Sequence, residues 1–209
     1  MLPDFPDFSG KKLTNTPCYC EENVYHLCKT FISDEMKNKY DTYACFISNE
    51  NRMIPIWKQR TSKDTEGMVI WDYHVILIVK VKETGQNLIK TSVYDFDTIL
   101  PFPCDFSTYT QESFQILNIP QYQRKFRIIP AETYLRVFAS DRSHMIKEDG
   151  TWNSPPPTYP PISTSDSVNN LESFINMTEN LDSNDFGQVF NEDDFKRKFG
   201  FTKFSIIFG

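Results

Sequence analysis

A chain of 209 residues is long enough for one well-buried domain and hardly long enough for two. Its aromatic content of 15%, with 18 Phe and 10 Tyr, is typical of a packed globular protein and excludes a disordered chain. The net charge of −6 argues against a general nucleic-acid binder, so we expect no nucleic-acid partner. Residues 1–209 therefore read as a single domain.

The N-terminus and the cysteine count indicate the compartment. The first seven residues, MLPDFPD, carry acids and prolines where a signal peptide needs a basic flank and an apolar run. The longest aliphatic run, residues 75–79, is far too short to span a bilayer. Five cysteines, an odd number, fit a reducing compartment better than a disulfide framework. We expect a protein of the cytosol or nucleus with no membrane partner.

Apolar spacing and turn residues predict the elements in chain order. Residues 1–16 read as a flexible N-terminal segment, and a helix follows over 21–39 with two acids in its first turn. Strands are predicted at 43–47, 53–57, 69–81 and 87–95, and helices at 108–117 and 131–139.

The C-terminal third is rich in turn signals. Asp149-Gly150 indicates a tight hairpin, and the Pro-rich stretch 154–162 reads as a surface loop. Asn191 is placed to cap a last helix that ends at Gly200. Because helices and an antiparallel sheet occur in blocks, the fold class is α+β.

The run WDYHV at 71–75 places His74 inside an apolar strand, where a histidine usually has a partner. Cys20 lies at the predicted start of the first helix, and Asp95 lies on the strand that follows. A hairpin centred on Thr84-Gly85 would put His74 directly opposite Asp95 on one face of the sheet. A thiol, an imidazole and a carboxylate so placed predict nucleophilic catalysis by Cys20, with His74 and Asp95 as the other catalytic residues.

The position of Cys20 at a helix N-terminus favours the thiolate and would lower the pKa of its thiol. Its free N–H is one candidate donor of an oxyanion hole. Glu21 and Glu22 oppose the shift if they point inward, which makes His74 a more necessary ion-pair partner.

The other cysteines and histidines have simpler interpretations. Cys28, Cys45 and Cys104 are expected in the core. A zinc site from Cys18, Cys20, His26 and Cys28 is disfavoured, because the helix would hold Cys20 and Cys28 about 12 Å apart. His26 then belongs on the helix surface, and His144 either lines a site or caps a loop. We expect no metal ion and no organic cofactor.

At this point a resemblance can be stated. The string WDYHV is similar to the signature of the WDYHV family, the protein N-terminal glutamine amidohydrolases. Further blocks resemble the family in the same order along residues 18–200. They are CYCEEN at 18–23, FISNE at 46–50, IPIWKQ at 54–59, DFDTILPFP at 95–103, FASDRSHM at 138–145 and PPPTYP at 155–160.

The resemblance implies a papain- or transglutaminase-like fold that acts as a monomer. It implies deamidation of N-terminal glutamine to glutamate in proteins and peptides, with release of ammonia. In eukaryotes that glutamate feeds the arginylation branch of the N-degron pathway. The family's nucleophile, histidine and aspartate map onto Cys20, His74 and Asp95.

An enzyme restricted to terminal residues must recognise a free α-ammonium group. The expected hairpin also puts Asp72 opposite Asp97, and two facing carboxylates repel each other unless a cation lies near them. We take Asp72 and Asp97, and more weakly Asp141, as candidates for binding the substrate's α-ammonium. The alternative is that the facing pair lies at strand ends, solvated or hydrogen-bonded to turn N–H groups.

Other functions remain open at this stage. A cysteine peptidase or a transglutaminase-type acyl transferase would use the same three residues. A non-catalytic module that binds N-termini would need the pocket and not the nucleophile. The products separate these cases: ammonia with an intact peptide, a cut peptide, a crosslink, or none.

Overall fold

The computed structural model describes residues 4–8, 10, 12–82, 89–178 and 184–200. The helices are α1 Cys20–Phe31, α2 Asp34–Lys39, α3 Phe106–Ser113, α4 Ala131–Val137, α5 Leu171–Ile175 and α6 Glu192–Lys198. The strands are β1 Tyr40–Ser48, β2 Ile54–Ile56, β3 Val69–Trp71, β4 His74–Val81, β5 Thr91–Tyr94, β6 Cys104–Asp105, β7 Lys125–Pro130 and β8 Gln188–Asn191. Short 3₁₀ turns occupy Pro120–Tyr122, Ser143–Met145 and Asn184–Phe186.

Six of the strands form one antiparallel sheet in the order β6-β5-β4-β1-β7-β8. Strands β2 and β3 pair separately as a small second sheet. The α+β class with a central antiparallel sheet is therefore confirmed. Within the described ranges no helix is both long and apolar enough to cross a bilayer.

Alternate residues of the central strands serve two buried clusters, one on each face of the sheet. On β4, Val75 and Leu77 belong to the cluster that includes α1, α4 and α5 side chains. Ile76 and Ile78 belong to the other, with side chains of α3, α6 and β2. Burial on both faces explains why β4 reads as an unbroken apolar run.

Two predicted elements are divided in the structure. The predicted helix 21–39 breaks after α1, because the Ser33 side chain accepts from the N–H of Met36 and starts α2 as a separate helix. The predicted strand 69–81 breaks at Asp72 and Tyr73, so β3 and β4 belong to different sheets. His74 is thus the first residue of β4 and not the middle of a strand.

The predicted register of the β4–β5 hairpin is wrong by two residues. Leu77 pairs with Tyr94, so His74 and Asp95 are not directly opposite each other. A shift of two residues leaves every side chain on the face that was predicted, because the pleat repeats every two residues. His74 and Asp95 therefore still point to the same side. The turn predicted at Thr84-Gly85 lies outside the described residues.

Several elements were not predicted. Strand β7 lies between β1 and β8 in the sheet, yet Lys125 and Arg127 lie at its start, and charged residues are mostly exposed in folded proteins. Arg127 is nonetheless buried, because its guanidinium donates to the carbonyl oxygens of Asn176, Phe186 and Thr178. The other unpredicted elements are the short β6, β8 and α5.

The described part of the segment expected to be flexible, 1–16, packs against the domain. Phe8 is 7% exposed and contacts the rings of Phe31 and Tyr94. The Tyr94 hydroxyl donates to the carbonyl of Pro6 at 2.8 Å. Phe8 therefore belongs to the hydrophobic core, which the sequence did not predict.

The Pro-rich loop 154–162 is held by one arginine. The Arg142 guanidinium donates to the carbonyls of Pro157 and Tyr159 at 3.3 and 3.0 Å. It also forms a two-pronged pair with the buried carboxylate of Glu22 at 2.7 and 2.8 Å. This ties the loop to α1, the helix that begins with Cys20. The predicted α6 cap is confirmed, since the Asn191 side chain accepts from the N–H of Asp194.

Candidate active site

The structure brings His74 and Asp95 together at the ends of β4 and β5. Nε2 of His74 lies 2.9 Å from Oδ1 of Asp95, and both side chains are fully buried. Because an ionised carboxylate only accepts, Nε2 carries the proton and donates it. The indole of Trp71 stacks on the imidazole with ring centres 5.3 Å apart, which helps to keep water from this bond.

Asp95 is held by groups that the sequence did not single out. Tyr109 on α3 donates its hydroxyl to Oδ2 at 2.8 Å, and the Gln59 amide lies 3.4 Å from the same oxygen. The backbone N–H of Asp97 donates to Oδ1 at 2.9 Å. Burial alone would raise the pKa of Asp95, but the His74 charge and these hydrogen bonds hold it below its usual value. The sequence contains one signal for Gln59, because this residue falls inside the family block at 54–59.

His74 is poised as a base. Burial alone would lower the pKa of its imidazole, but the charge and hydrogen bond of Asp95 raise the pKa above its ordinary value. Nδ1 is buried and has no hydrogen-bond partner among the described residues. With Nε2 protonated toward Asp95, Nδ1 presents a free lone pair.

Cys20 is the first residue of α1, the helix that packs against β4. A backbone hydrogen bond from Val75, which follows His74, favours the thiolate form of Cys20. The thiol itself donates to Oε2 of Glu21 at 3.7 Å. Burial and the charges of Glu21 and Asp97 raise the pKa of the thiol well above its ordinary value, opposed by the Val75 hydrogen bond. The predicted lowering of this pKa is therefore wrong for the substrate-free protein.

Cys20 opens onto a cavity of about 600 Å³. Its walls come from the start of α1, the β1–β2 turn, the β3–β4 break and the turn after β5. Residues 143–153 and α5 with the residues before it complete the walls. The lining residues are Cys18, Cys20, Arg52, Trp71, Asp72, Tyr73, Asp97, Ser143, His144, Met145, Asn153, Asn169, Asn170, Leu171, Glu172 and Ile175. A groove of about 800 Å³ between residues 116–124 and 191–197 contains none of the predicted site residues.

The three acids considered for the α-ammonium group have different positions. Asp72 and Asp97 both line the cavity. They do not pair across a ladder, because Asp72 lies in the break before β4 and Asp97 in the turn after β5. Asp141 is not a lining residue, and its carboxylate accepts from the N–H of Ser143 and from the Asn169 amide.

A buried acid, Glu21, stands beside the thiol. Its Oε2 accepts from the Tyr73 hydroxyl at 3.1 Å, and its Oε1 lies 3.8 Å from Nε2 of His144. Oε1 has no hydrogen-bond partner in the described structure. Burial raises the pKa of Glu21 to about 7, and the neighbouring Glu22 adds to the rise. His144 lines the cavity, which decides between the two positions considered for it.

The described residues contain one candidate metal-binding group. This group of three, His74, Asp95 and Asp97, brings its ligand atoms within 4.8 Å of one another. The Cys18, Cys20, His26 and Cys28 set does not form such a group: Cys18 is exposed, Cys28 is in the core, and His26 packs half-buried against Tyr159. The absence of a cofactor stays a prediction.

The chain is similar in sequence to known proteins. A sequence profile of the N-terminal glutamine amidase family matches residues 15–199. The chain belongs to the N-terminal glutamine amidase family. The protein N-terminal glutamine amidohydrolase of Danio rerio is 47% identical over 194 residues, which cover 92% of each chain. That of Homo sapiens is 48% identical over 185 residues, 88% of this chain and 86% of the relative. That of Drosophila melanogaster is 41% identical over 177 residues, 82% and 84% of the two chains.

Membership in the N-terminal glutamine amidase family covers the whole described site. The matched range contains Cys20, His74 and Asp95, and it also contains the cavity walls from Arg52 to Ile175. The family assignment made from the WDYHV string is therefore confirmed. In this member of the family the His74 imidazole is hydrogen-bonded to the Asp95 carboxylate, and the Cys20 thiol is hydrogen-bonded to Glu21.

Proposed function

We propose that this chain hydrolyses the side-chain carboxamide of an N-terminal glutamine in peptides and proteins, leaving glutamate and releasing ammonia. Cys20 is the nucleophile, His74 the acid and base, and Asp95 the residue that orients His74. The observation that carries the proposal is the buried His74–Asp95 bond of 2.9 Å, with its free Nδ1, at the start of the strand against which the Cys20 helix packs. Family membership and the names of its relatives support the substrate.

The chemistry is acyl transfer in two steps. Nδ1 of His74 takes the thiol proton, and the sulfur of Cys20 attacks the carboxamide carbon. His74 then returns the proton to the departing nitrogen, so that ammonia leaves and a thioester remains. In the second step His74 deprotonates a water molecule, which hydrolyses the thioester and restores the thiol. Asp95 keeps Nδ1 free in each step by accepting from Nε2.

The developing oxyanion needs donors in the same place. The N–H of Cys20 is at the first position of α1, where a backbone donor has no partner within the helix. The indole Nε1 of Trp71 is a second candidate, because it is buried without a partner among the described residues and its ring lies on His74. Two donors of this kind stabilise the tetrahedral intermediates.

Recognition of the free N-terminus belongs to the acids of the cavity. Of the two aspartates that line the cavity, Asp97 has its carboxylate within 4.8 Å of His74 and Asp95, and its charge acts on Cys20. Asp72 reaches the same cavity from the β3–β4 break. Asp97→Asn and Asp72→Asn are each expected to reduce the preference for a free over an acetylated N-terminus. If both variants retain the wild-type preference, the assignment fails.

Wider features follow from the same proposal. The fold is papain- or transglutaminase-like, which is supported by a cysteine at the start of a helix packed on an antiparallel sheet that carries the histidine. The chain acts as a monomer in the cytosol or nucleus, without nucleic-acid, membrane or cofactor partners. Its glutamate product feeds the arginylation branch of the N-degron pathway. The net charge of −6 supports the absence of nucleic acid.

The test is ammonia release from a short peptide that begins with glutamine. The matched controls are its N-acetylated twin and the Cys20→Ser protein. Release that requires both the free N-terminus and Cys20 is expected. Equal release from the acetylated twin, or undiminished release by Cys20→Ser, contradicts the proposal.

A further inference from the structure

The reacting groups lie among acids that outnumber the nearby free cations. From α1 comes Glu21, from the turn after β5 come Asp95 and Asp97, and from the β3–β4 break comes Asp72. Asp95 is balanced by His74 when the imidazole is charged. The other three acids have no ion-pair partner of opposite charge within the described residues except the weak approach of His144 to Glu21 at 3.8 Å.

The cations around this site are engaged elsewhere. Arg52 lines the cavity but pairs with Glu172, and Arg142 pairs with Glu22. Arg60 is exposed, and it acts on Asp97 only through its field. Burial lowers the pKa of His144, so this imidazole is mostly neutral near neutral pH. Among the described residues His74 is therefore the cation that can offset a thiolate, and Asp95 already balances its charge.

Glu21 is the acid in direct contact with the reacting sulfur. The thiol donates to its Oε2 at 3.7 Å, whereas Nδ1 of His74 accepts no hydrogen bond from the described residues. The Glu21 side chain is fully buried, and one of its oxygens is unpartnered. A thiolate would face this carboxylate at the same short distance, and two like charges in a poorly solvated place repel strongly.

We propose that Glu21 is a further catalytic residue, which holds the Cys20 thiol in its protonated form until the α-ammonium group of a substrate enters the cavity. The inference rests on the proposed function and deepens it: the free N-terminus is needed for the chemical step and not only for binding. An acetylated N-terminus brings no positive charge, so the thiol stays on Glu21 and attack does not begin.

Substrate binding moves one proton, from the Cys20 thiol to His74, and this transfer is the switch. In the free enzyme, at a pH above the raised pKa of His74, the S–H group of Cys20 donates to Glu21 and His74 is neutral with its proton on Nε2. When the substrate's ammonium group offsets the acids, the thiol proton moves from Sγ to Nδ1. The site then holds a thiolate, an imidazolium, ionised Glu21 and the ammonium group. The pKa of Glu21, raised by burial to about 7, means that this switch acts most fully above neutral pH, where the carboxylate is charged.

The first experiment measures the alkylation rate of Cys20 with iodoacetamide, a neutral reagent, in the absence of substrate. The protein carries Cys18→Ser throughout, because Cys18 is exposed on the same cavity. In this background Glu21→Gln is expected to alkylate about tenfold faster or more just above neutral pH, which corresponds to a thiol pKa lower by about one unit. Glu35→Gln, which removes an exposed carboxylate on α2, is the matched control and is expected to leave the rate unchanged.

A second variant covers the case in which Glu21→Gln does not fold. Tyr73→Phe removes the hydroxyl that donates to Glu21 at 3.1 Å and so raises the fraction of neutral Glu21. We expect its alkylation to be faster than wild type and slower than that of Glu21→Gln. An alkylation rate at or below the wild-type rate in a folded Glu21 or Tyr73 variant overturns the inference.

The second experiment compares kcat for the free and the N-acetylated glutamine peptide. Glu21→Gln is expected to narrow the ratio of the two kcat values by about tenfold or more, mainly through a gain on the acetylated peptide. An unchanged ratio overturns the inference. Alkylation needs no turnover, so the two proposals fail separately. Wild-type ammonia release with an unaltered Glu21→Gln alkylation rate refutes only the role of Glu21. Absent ammonia release with accelerated alkylation refutes the amidohydrolase activity and leaves only the hold of Glu21 on the Cys20 thiol.

Discussion

Replacing Tyr109 by Phe removes one hydroxyl group from the support of Asp95 and leaves the ring in place. The hydroxyl donates to Oδ2 of Asp95 at 2.8 Å in a fully buried setting, and Tyr109 itself is fully buried. The remaining donor to this oxygen, the Gln59 amide, is at 3.4 Å, which is long for a hydrogen bond. A buried hydrogen bond to a charged group contributes about 1.5–3 kcal/mol, so we expect the free energy of unfolding to fall by about that amount near neutral pH.

The pH dependence of this loss identifies its cause. The pKa of Asp95 lies below its usual value in the folded protein, so the stability that its charge contributes is present above the unfolded pKa and is lost as pH falls through the folded pKa. The loss of unfolding free energy caused by Tyr109→Phe is therefore largest above about pH 4 and becomes smaller below it. Since less support remains for the imidazolium of His74, kcat is expected to drop by about tenfold.

Urea unfolding at neutral pH and at successively lower pH measures the effect. Tyr134→Phe is the matched control, because Tyr134 is equally buried but donates to a neutral acceptor, the carbonyl of Glu21, at 3.0 Å. That bond is expected to contribute about 0.5–1.5 kcal/mol, with no dependence on pH in the acid range. If Tyr109→Phe costs no more than the control, or costs the same at every pH, the ionised Asp95 is not what Tyr109 stabilises.

Two further predictions concern the walls of the site. Trp71→Phe keeps a ring on His74 and removes the indole N–H, so kcat should fall about 10²–10³-fold with KM nearly unchanged; a normal kcat excludes Trp71 as an oxyanion donor. Arg142→Met leaves the carboxylate of Glu22 buried without its partner and should cost about 3–5 kcal/mol in urea unfolding. The double variant with Glu22→Met should recover most of that loss, and a double variant as unstable as the single one would contradict this account.

The pairing of His74 with Asp95 was predictable although the register was not. The sequence sets the alternation of β4 and β5, and a two-residue error in the hairpin preserves the face on which each side chain lies. The error itself came from the centre assumed for the hairpin, Thr84-Gly85, which lies outside the described residues. Asp95 directly follows β5 and contacts His74 diagonally across the two strands. The rule of direct opposition between paired residues does not predict this contact.

Buried charge is what the sequence concealed. Glu21 directly follows the nucleophile and resembles an ordinary first-turn acid, which the helix dipole stabilises. In the structure, however, it is buried against Cys20 and Tyr73. Arg127 is likewise of a residue type that is mostly exposed, yet it lies buried inside the central sheet. Such residues become visible only when the partners that satisfy them, far away in sequence, are brought together by the fold.

The central claim is that Cys20 hydrolyses the side-chain carboxamide of a terminal glutamine. Its most direct test is mass spectrometry of one peptide that carries glutamine both at its N-terminus and at an internal position, after incubation with wild type or with Cys20→Ser. The account predicts an intact peptide in which only the terminal side chain has exchanged its NH₂ for OH, and no change with Cys20→Ser. A shortened or crosslinked peptide, conversion of the internal glutamine, or the same product from Cys20→Ser would contradict it.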